Sequence, residues 1–203
     1  STIHGSQVLH PSTRKSPTSY YHRAGPLKDV LGDAKKARNV AVIGLGVGTC
    51  AAYFQKGESL TFYELDQDIV NIAENFFFYL ADCPAKVKME VGDARIQLEQ
   101  EAPDHSYDII MVDAFSSDSI PTHLLTKEAF SLYEKKLAPQ GKLVFHITNR
   151  YYDLLGVIKS TSAERWEALA KQSNEKLKPF QDTAVYCVLH RKGHDVSSLR
   201  AAS

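Results

Sequence analysis

The chain has 203 residues, 43% hydrophobic and 24% charged, with 24 Lys+Arg balancing 24 Asp+Glu to a formal net charge of zero. This is the size and composition of one soluble globular domain, and it lacks the basic surplus that marks a nucleic-acid binder. No apolar run approaches the roughly 20 residues of a membrane helix, because residues 40–47 are broken by glycines and residues 76–80 are too few.

Residues 1–37 show no sustained period and are rich in Ser, Pro, His and Tyr. They read as an irregular or hairpin-like N-terminal arm ahead of a domain over residues 38–203. Residues 39–43 form a short β-branched run ending in glycines, the pattern of a buried strand, and 48–56 follow with helical spacing. A second strand is expected over 60–64, then a helix over 69–80 with Ile69, Ile72, Ala73, Phe76 and Tyr79 on its apolar side. A third strand over 87–91, a helix over 94–101 and a strongly apolar fourth strand over 107–113 come next. A helix over 127–137 is ended by Pro139 and Gly141, and a fifth strand takes 142–148. Intermittent helical sequence over 153–177 leads to a last strand over 184–190. Apolar strands alternating with helices predict an α/β doubly wound, mostly parallel sheet covered on both faces. In such sheets ligands bind beyond the carboxyl ends of the strands.

The residues that follow each strand are therefore the informative ones. Strand one runs into Gly44-Leu45-Gly46-Val47-Gly48-Thr49. Glycines here let the backbone turn tightly and approach a ligand, with the next helix N-terminus aimed at it. Thr49 breaks the dinucleotide spacing G-x-G-x-x-G and favours a nucleoside over a pyrophosphate. Strand two ends in Glu64-Leu65-Asp66, about 20 residues beyond the first glycine, where an acid holds a ribose diol. Asp66 reads as the N-cap of the next helix, which leaves Glu64 for the ribose. After strand three, Asp93 in Gly92-Asp93-Ala94 suits either an adenine amino group or an N-cap. After strand four comes Asp113-Ala114-Phe115-Ser116-Ser117-Asp118-Ser119-Ile120-Pro121, two carboxylates and three hydroxyls on one loop. Glycine-rich or acidic chemistry after four consecutive strands points to one pocket.

Other features exclude alternatives. No basic segment followed by a long apolar one opens the sequence, so no signal peptide is expected. Cys50, Cys83 and Cys187 are odd in number, scattered and in no C-x-x-C spacing. That predicts free thiols in a reducing, cytoplasmic setting, without disulfide or zinc. His190 and His194 stand four apart, but Gly193 lies between them and no helical pattern surrounds them, so no metal is expected.

The segments Val42-Ile43-Gly44-Leu45-Gly46-Val47-Gly48, Tyr63-Glu64-Leu65-Asp66, Val91-Gly92-Asp93-Ala94 and Tyr107-Asp108-Ile109-Ile110-Met111-Val112-Asp113 together resemble the spermidine/spermine synthase family, the polyamine aminopropyltransferases. The loop from Asp113 to Pro121 resembles that family's D-S-S-D-P gate loop with extra residues. Gly5-Ser6-Gln7 and Tyr20-Tyr21-His22 resemble its upstream glutamine and its Tyr-His/Gln pair. The resemblance covers about residues 4–155 and is nearest to a bacterial branch reading A-F-S-S-D-x-I-P and H-I-T/S-N-R-Y.

The resemblance implies a Rossmann fold like that of class I S-adenosylmethionine-dependent methyltransferases. It implies an enzyme that moves an aminopropyl group from decarboxylated S-adenosylmethionine, or uses S-adenosylmethionine itself, with a diamine such as putrescine as acceptor. Gly44, Gly46 and Gly48 would form the nucleoside turn, Glu64 would hold the ribose, and Asp93 with Ala94 the adenine. Asp113 would be the general base and Asp118 a ligand of the cationic polyamine. Tyr21 and His22 would flank the amine and the transferred group, and Gln7 would belong to the substrate side. No metal, nucleic acid or membrane partner is implied, and a homodimer is an assembly the family allows. The chemistry is coherent. An alkyl amine with pKa near 10 is protonated at neutral pH and cannot attack until a carboxylate takes its proton. The sulfonium donor is already activated, so alignment supplies much of the remaining catalysis.

Three departures from the family pattern bear on the amine side. Val47 stands where the family places an acid that binds the donor's amine, and Arg23 stands where an acid follows the Tyr-His pair. The stretch between Ile158 and Ala184 reads as too short for the family's penultimate strand and its late tyrosine-containing loop. Two alternative functions follow: a class I methyltransferase, which Val47 favours, and a non-catalytic nucleoside-binding domain of a larger protein.

Overall fold

The computed structural model describes residues 5–32, 36–115, 120–149, 152–173 and 177–193. Its centre is β1 (Asn39–Ile43). Ala41 and Ile43 point into one core, Val40 and Val42 into the other. β4 (Tyr107–Val112) divides the same way, Ile110 and Val112 opposing Ile109 and Met111. A strand buried on both faces must be apolar at every position, which is why these segments read as unbroken apolar runs.

β2 (Ser59–Glu64) and β3 (Lys86–Val91) extend the sheet in parallel on one side of β1. β4 and then β5 (Leu137–His146) extend it in parallel on the other. β7 (Val185–Arg191) lies antiparallel between β5 and β6 (Trp166–Gln172), giving the order β3-β2-β1-β4-β5-β7-β6.

One face is covered by α3 (Ala94–Glu101), α4 (Lys127–Lys136) and α5 (Leu154–Ser162), which bury Leu98, Phe130 and Ile158. The other is covered by a 3-10 turn (Thr49–Tyr53), by α2 (Gln67–Phe76) and by the N-terminal arm with its short helix α1 (Leu27–Leu31). The arm forms no hairpin among the described residues; Ser19 makes an isolated parallel bridge with Gln181. It is anchored by burial, since Leu27 and Leu31 are fully enclosed at about 1.5–3 kcal/mol each. No helix among the described residues is long and apolar enough to cross a membrane.

Four elements differ from the sequence expectation. The helix expected over 48–56 is only the five-residue 3-10 turn. Thr, Cys and Tyr propagate a helix poorly, and the chain turns back at once, with the Gln55 N–H donating to the Glu58 carboxylate at 2.7 Å. α2 stops at Phe76, and it buries Val70 and Ala73 while leaving Ile72 and Phe76 exposed. β5 begins at Leu137 and runs through the Pro139–Gly141 region to His146, so Thr148 lies beyond the strand. The largest correction is after α5: residues 166–172 form the penultimate strand that seemed missing. Trp-Glu-Ala-Leu-Ala-Lys-Gln has helical propensity, but seven consecutive residues pair with β7, and tertiary pairing overrides a weak local preference.

Candidate active site

β2 and β4 flank β1 on opposite sides, so the chain reverses its direction of winding between β1 and β4, the place where such sheets bind ligands. A cavity of about 470 Å³ opens there. Every parallel strand delivers residues to it: Gly44, Leu45 and Gly46 from β1, Glu64 and Asp66 from β2, Asp93 and Ala94 from β3, Asp113 and Phe115 from β4, His146 and Thr148 from β5.

The turn after β1 is locked against the end of β4. Gly44 has φ +97°, its N–H donates to the Tyr63 carbonyl at 2.8 Å, and a Cβ on it would lie 2.5 Å from the Asp113 carbonyl oxygen. Only glycine fits there without displacing the backbone that carries Asp113. Glu64 bridges two turns, with Oε2 accepting the Leu45 N–H at 2.9 Å and Oε1 the Asp66 N–H at 3.1 Å. Each oxygen keeps acceptor capacity for a hydroxyl. Asp66 caps α2, accepting the Asp68 N–H at 2.8 Å. Asp93 caps α3 through Oδ1, which accepts the N–H groups of Arg95 and Ile96, while Oδ2 faces His123 Nε2 at 3.4 Å. The cap therefore engages one oxygen of the carboxylate and leaves the other on the His123 side. Gly48, at φ +78°, opens the 3-10 turn against Leu80 and does not line the cavity.

Asp113 sits in a buried polar chain. Its side chain is 6% exposed; Oδ2 accepts the Tyr21 hydroxyl at 2.6 Å and Oδ1 pairs with His146 Nδ1 at 2.7 Å. His146 Nε2 is 2.7 Å from Thr148 Oγ1, which also accepts the Val185 N–H at 2.8 Å. Tyr186 stacks on the His146 ring at 4.6 Å, and Tyr20 and Phe115 each approach it at 5.2 Å. Burial, and then the Asp113 charge, hold the phenols of Tyr21 and Tyr186 well above their ordinary range. Burial pushes the Cys50 thiol up as well, with Asp113 adding to it.

The remaining candidates among the described residues lie apart from the cavity lining. Gln7 ties down the arm, donating to the Arg14 carbonyl at 2.8 Å and accepting the Phe78 N–H at 2.9 Å. Beside it, Arg14 forms a bidentate pair with Asp82. His22 is 1% exposed, away from the cavity lining, and among the described residues neither ring nitrogen has a hydrogen-bond partner. Asp118 and His194 fall outside the described residues. Arg23 does not face the cavity, donating instead to the Ala52 carbonyl at 2.7 Å with its guanidinium over the Tyr53 ring. Val47 is buried against Gly5. Tyr20, His123, His146 and Thr148 also line the cavity; of these, Tyr20 lies in the Tyr20-Tyr21-His22 segment and His146 and Thr148 in the H-I-T/S-N-R-Y run of the family resemblance, which carries no separate role for them. A fifth strand read over 142–148 encloses His146 and Thr148, so the carboxyl-end rule passes over them; β5 in fact ends at His146. Among the described residues no three His, Cys, Asp or Glu side chains gather as a metal site.

The strand order with a single antiparallel strand between β5 and β6, and the acidic cleft at its switch point, define a Rossmann-like fold of the class I methyltransferase type. Within that class the chain belongs to the spermine/spermidine synthase family, whose domain model, the spermine/spermidine synthase domain, matches residues 28–163. It is 30% identical over 124 residues to the polyamine aminopropyltransferase of Vibrio vulnificus, spanning 58% of this chain and 41% of that protein. It is 31% identical over 137 residues to a probable polyamine aminopropyl transferase of Bifidobacterium longum, spanning 66% of this chain and 29% of that protein. The chain thus spans less than half the length of these curated relatives. Its fold matches the spermidine synthase of Thermotoga maritima with a TM-score of 0.63 at 16% identity, over 92% of this chain and 64% of that one. Human methyltransferase-like protein 13, solved in complex with SAH, shares the fold with a TM-score of 0.63 at 14% identity, over 82% and 79% of the two chains.

Proposed function

We propose that the chain acts as a polyamine aminopropyltransferase, moving an aminopropyl group from decarboxylated S-adenosylmethionine to a diamine such as putrescine. The observation that supports this most directly is the charge of the cavity. Glu64, Asp66, Asp93 and Asp113 line it, and no lysine or arginine stands among its described lining residues. Such a site suits a sulfonium donor with a free ammonium and a cationic acceptor. The carboxylate of intact S-adenosylmethionine would meet like charge, about 3 kcal/mol for one pair some 6 Å apart at an effective dielectric of 20.

In this scheme Glu64 accepts the ribose hydroxyls, Asp93 Oδ2 and Ala94 meet the adenine, and Gly44 and Gly46 let the nucleoside approach the backbone. Asp113 takes a proton from the acceptor ammonium. The freed lone pair attacks the carbon beside sulfur, and the C–N bond forms as the C–S bond breaks. The bonding pair leaves on sulfur in neutral methylthioadenosine. Tyr21 orients Asp113, Asp118 holds the distal ammonium, and Gln7 and His22 act by fixing the arm that carries Tyr20 and Tyr21.

The test is direct. The protein is incubated with putrescine and either donor, and the products are identified by mass spectrometry. Methylthioadenosine and spermidine are expected from the decarboxylated donor. Methyl transfer with release of S-adenosylhomocysteine would assign a methyltransferase instead, and nucleoside binding without turnover of any amine would leave a binding domain.

A further inference from the structure

We propose that His146 is the positioning residue for Asp113, donating Nδ1–H to the carboxylate so that it stays turned toward the acceptor amine. This deepens the aminopropyltransferase reading above, in which Asp113 is the base, and rests on it.

The assignment follows from hydrogen-bond bookkeeping that starts on the main chain. The Val185 N–H can only donate, and it occupies one acceptor position of Thr148 Oγ1. Thr148 keeps its own hydrogen and a second lone pair, so it can meet His146 Nε2, 2.7 Å away, either as donor or as acceptor. The tautomer is selected at the other nitrogen: beside an ionised Asp113, which can only accept, a neutral ring carries its proton on Nδ1, which faces Oδ1 at 2.7 Å. A proton on Nε2 alone would leave two lone pairs facing each other across that 2.7 Å. In a doubly protonated ring Nδ1 donates as well, so every state compatible with an ionised Asp113 has the same donor. A hydrogen bond to the charged form of a carboxylate favours that form.

The ring has little freedom to do anything else. Its side chain is 4% exposed, clamped between the Tyr186 stack and the Tyr20 and Phe115 edges. The ionisable groups facing the pair are Tyr20 and Tyr21 from the arm, Cys50 from the 3-10 turn and Tyr186 from β7. Tyr21, Cys50 and Tyr186 are all held in their protonated forms by burial. The side-chain partners that hold Asp113 are therefore His146 on one oxygen and the Tyr21 hydroxyl on the other.

Two variants separate positioning from packing. His146→Phe keeps a stacked ring and removes the donor; His146→Asn removes the ring and restores an N–H near the Nδ1 position. For His146→Phe, kcat is expected to fall about 10- to 100-fold, a part of what a general base is worth. The loss should fall on kcat rather than on KM, because the carboxylate is misaimed while the groups that bind the nucleoside stay in place. KM for the nucleoside donor and methylthioadenosine affinity should stay as in wild type. His146→Asn should bring kcat back toward wild type. An unchanged kcat in His146→Phe, or an Asn variant no better than Phe, overturns the proposal. Should His146→Phe fail to fold, His146→Asn alone carries the test: kcat near wild type is expected, and a fall as large as that of Asp113→Asn overturns the proposal. Side-chain 15N NMR of the wild-type protein reads the tautomer without turnover. An Nδ1–H signal that shifts in Asp113→Asn is expected, and a ring protonated on Nε2 alone overturns the assignment. A wild-type protein that shows the Nδ1–H signal but transfers nothing to any diamine refutes the transferase reading and leaves the His146–Asp113 pairing standing.

Discussion

Replacing Asp113 by asparagine removes one charge and one acceptor from a carboxylate whose two oxygens are both engaged. Oδ2 accepts from Tyr21 and Oδ1 from His146. The amide oxygen can keep only one of these donors. The adaptable partner is Tyr21, whose hydroxyl can turn and accept from the new NH2 group, so the amide oxygen is expected to stay on His146. Two charge-assisted hydrogen bonds become neutral ones, which costs about 1–3 kcal/mol of stability. The shape of the site survives that change, but the base does not. Turnover should fall by about 100- to 10,000-fold, or about 2.7–5.4 kcal/mol in the barrier. Methylthioadenosine release from decarboxylated S-adenosylmethionine and putrescine measures the rate, and calorimetric titration with methylthioadenosine measures binding. Affinity should hold, because Glu64 and Asp93 lie after other strands. Wild-type turnover by Asp113→Asn would refute the role given to this residue. Loss of turnover together with loss of nucleoside affinity would show a collapsed cleft, and the base assignment would lose its support.

Glu64→Gln converts one of the two oxygens that accept from Leu45 and Asp66 into a donor; methylthioadenosine affinity should weaken by about 1–3 kcal/mol, and unchanged affinity would rule out the ribose role. Gly44→Ala places a Cβ 2.5 Å from the Asp113 carbonyl at φ +97°, so it should cost about 1–3 kcal/mol for the backbone conformation alone, lower the melting temperature and reduce turnover. A Gly44→Ala protein equal to wild type in both would contradict the locked turn. Burial raises the phenols of Tyr21, Tyr63, Tyr133 and Tyr186 above the ordinary value. Groups that bind protons more tightly when folded contribute stability that is full below the unfolded value of about 10 and is lost as the pH rises above it. Alkaline titration should therefore show these phenolates appearing together with unfolding; their smooth ionisation in a folded protein would contradict the burial.

The order of strands one to four, and four of the residues that line the cavity at their ends, were legible in the chain itself. Residues 39–43 and 107–112 announce themselves because a strand covered on both faces must be apolar throughout, and Gly44, Glu64, Asp93 and Asp113 follow from the rule that ligands sit beyond the carboxyl ends. Such signals survive because they are local, with a period of two or a turn of a few residues. The structure decided what depends on remote partners. Residues 166–172 carry helix-forming side chains, yet pairing with β7 makes them a strand. Ile72 and Phe76 form an apolar stripe that stays exposed because Val70 and Ala73 are the positions facing the sheet. Tyr21 meets Asp113 across 92 positions and His146 meets it across 33, distances over which no spacing rule operates. Where a side chain's neighbours come from distant parts of the chain, packing and hydrogen-bond satisfaction of the whole sheet decide its role, and local sequence carries no trace of them.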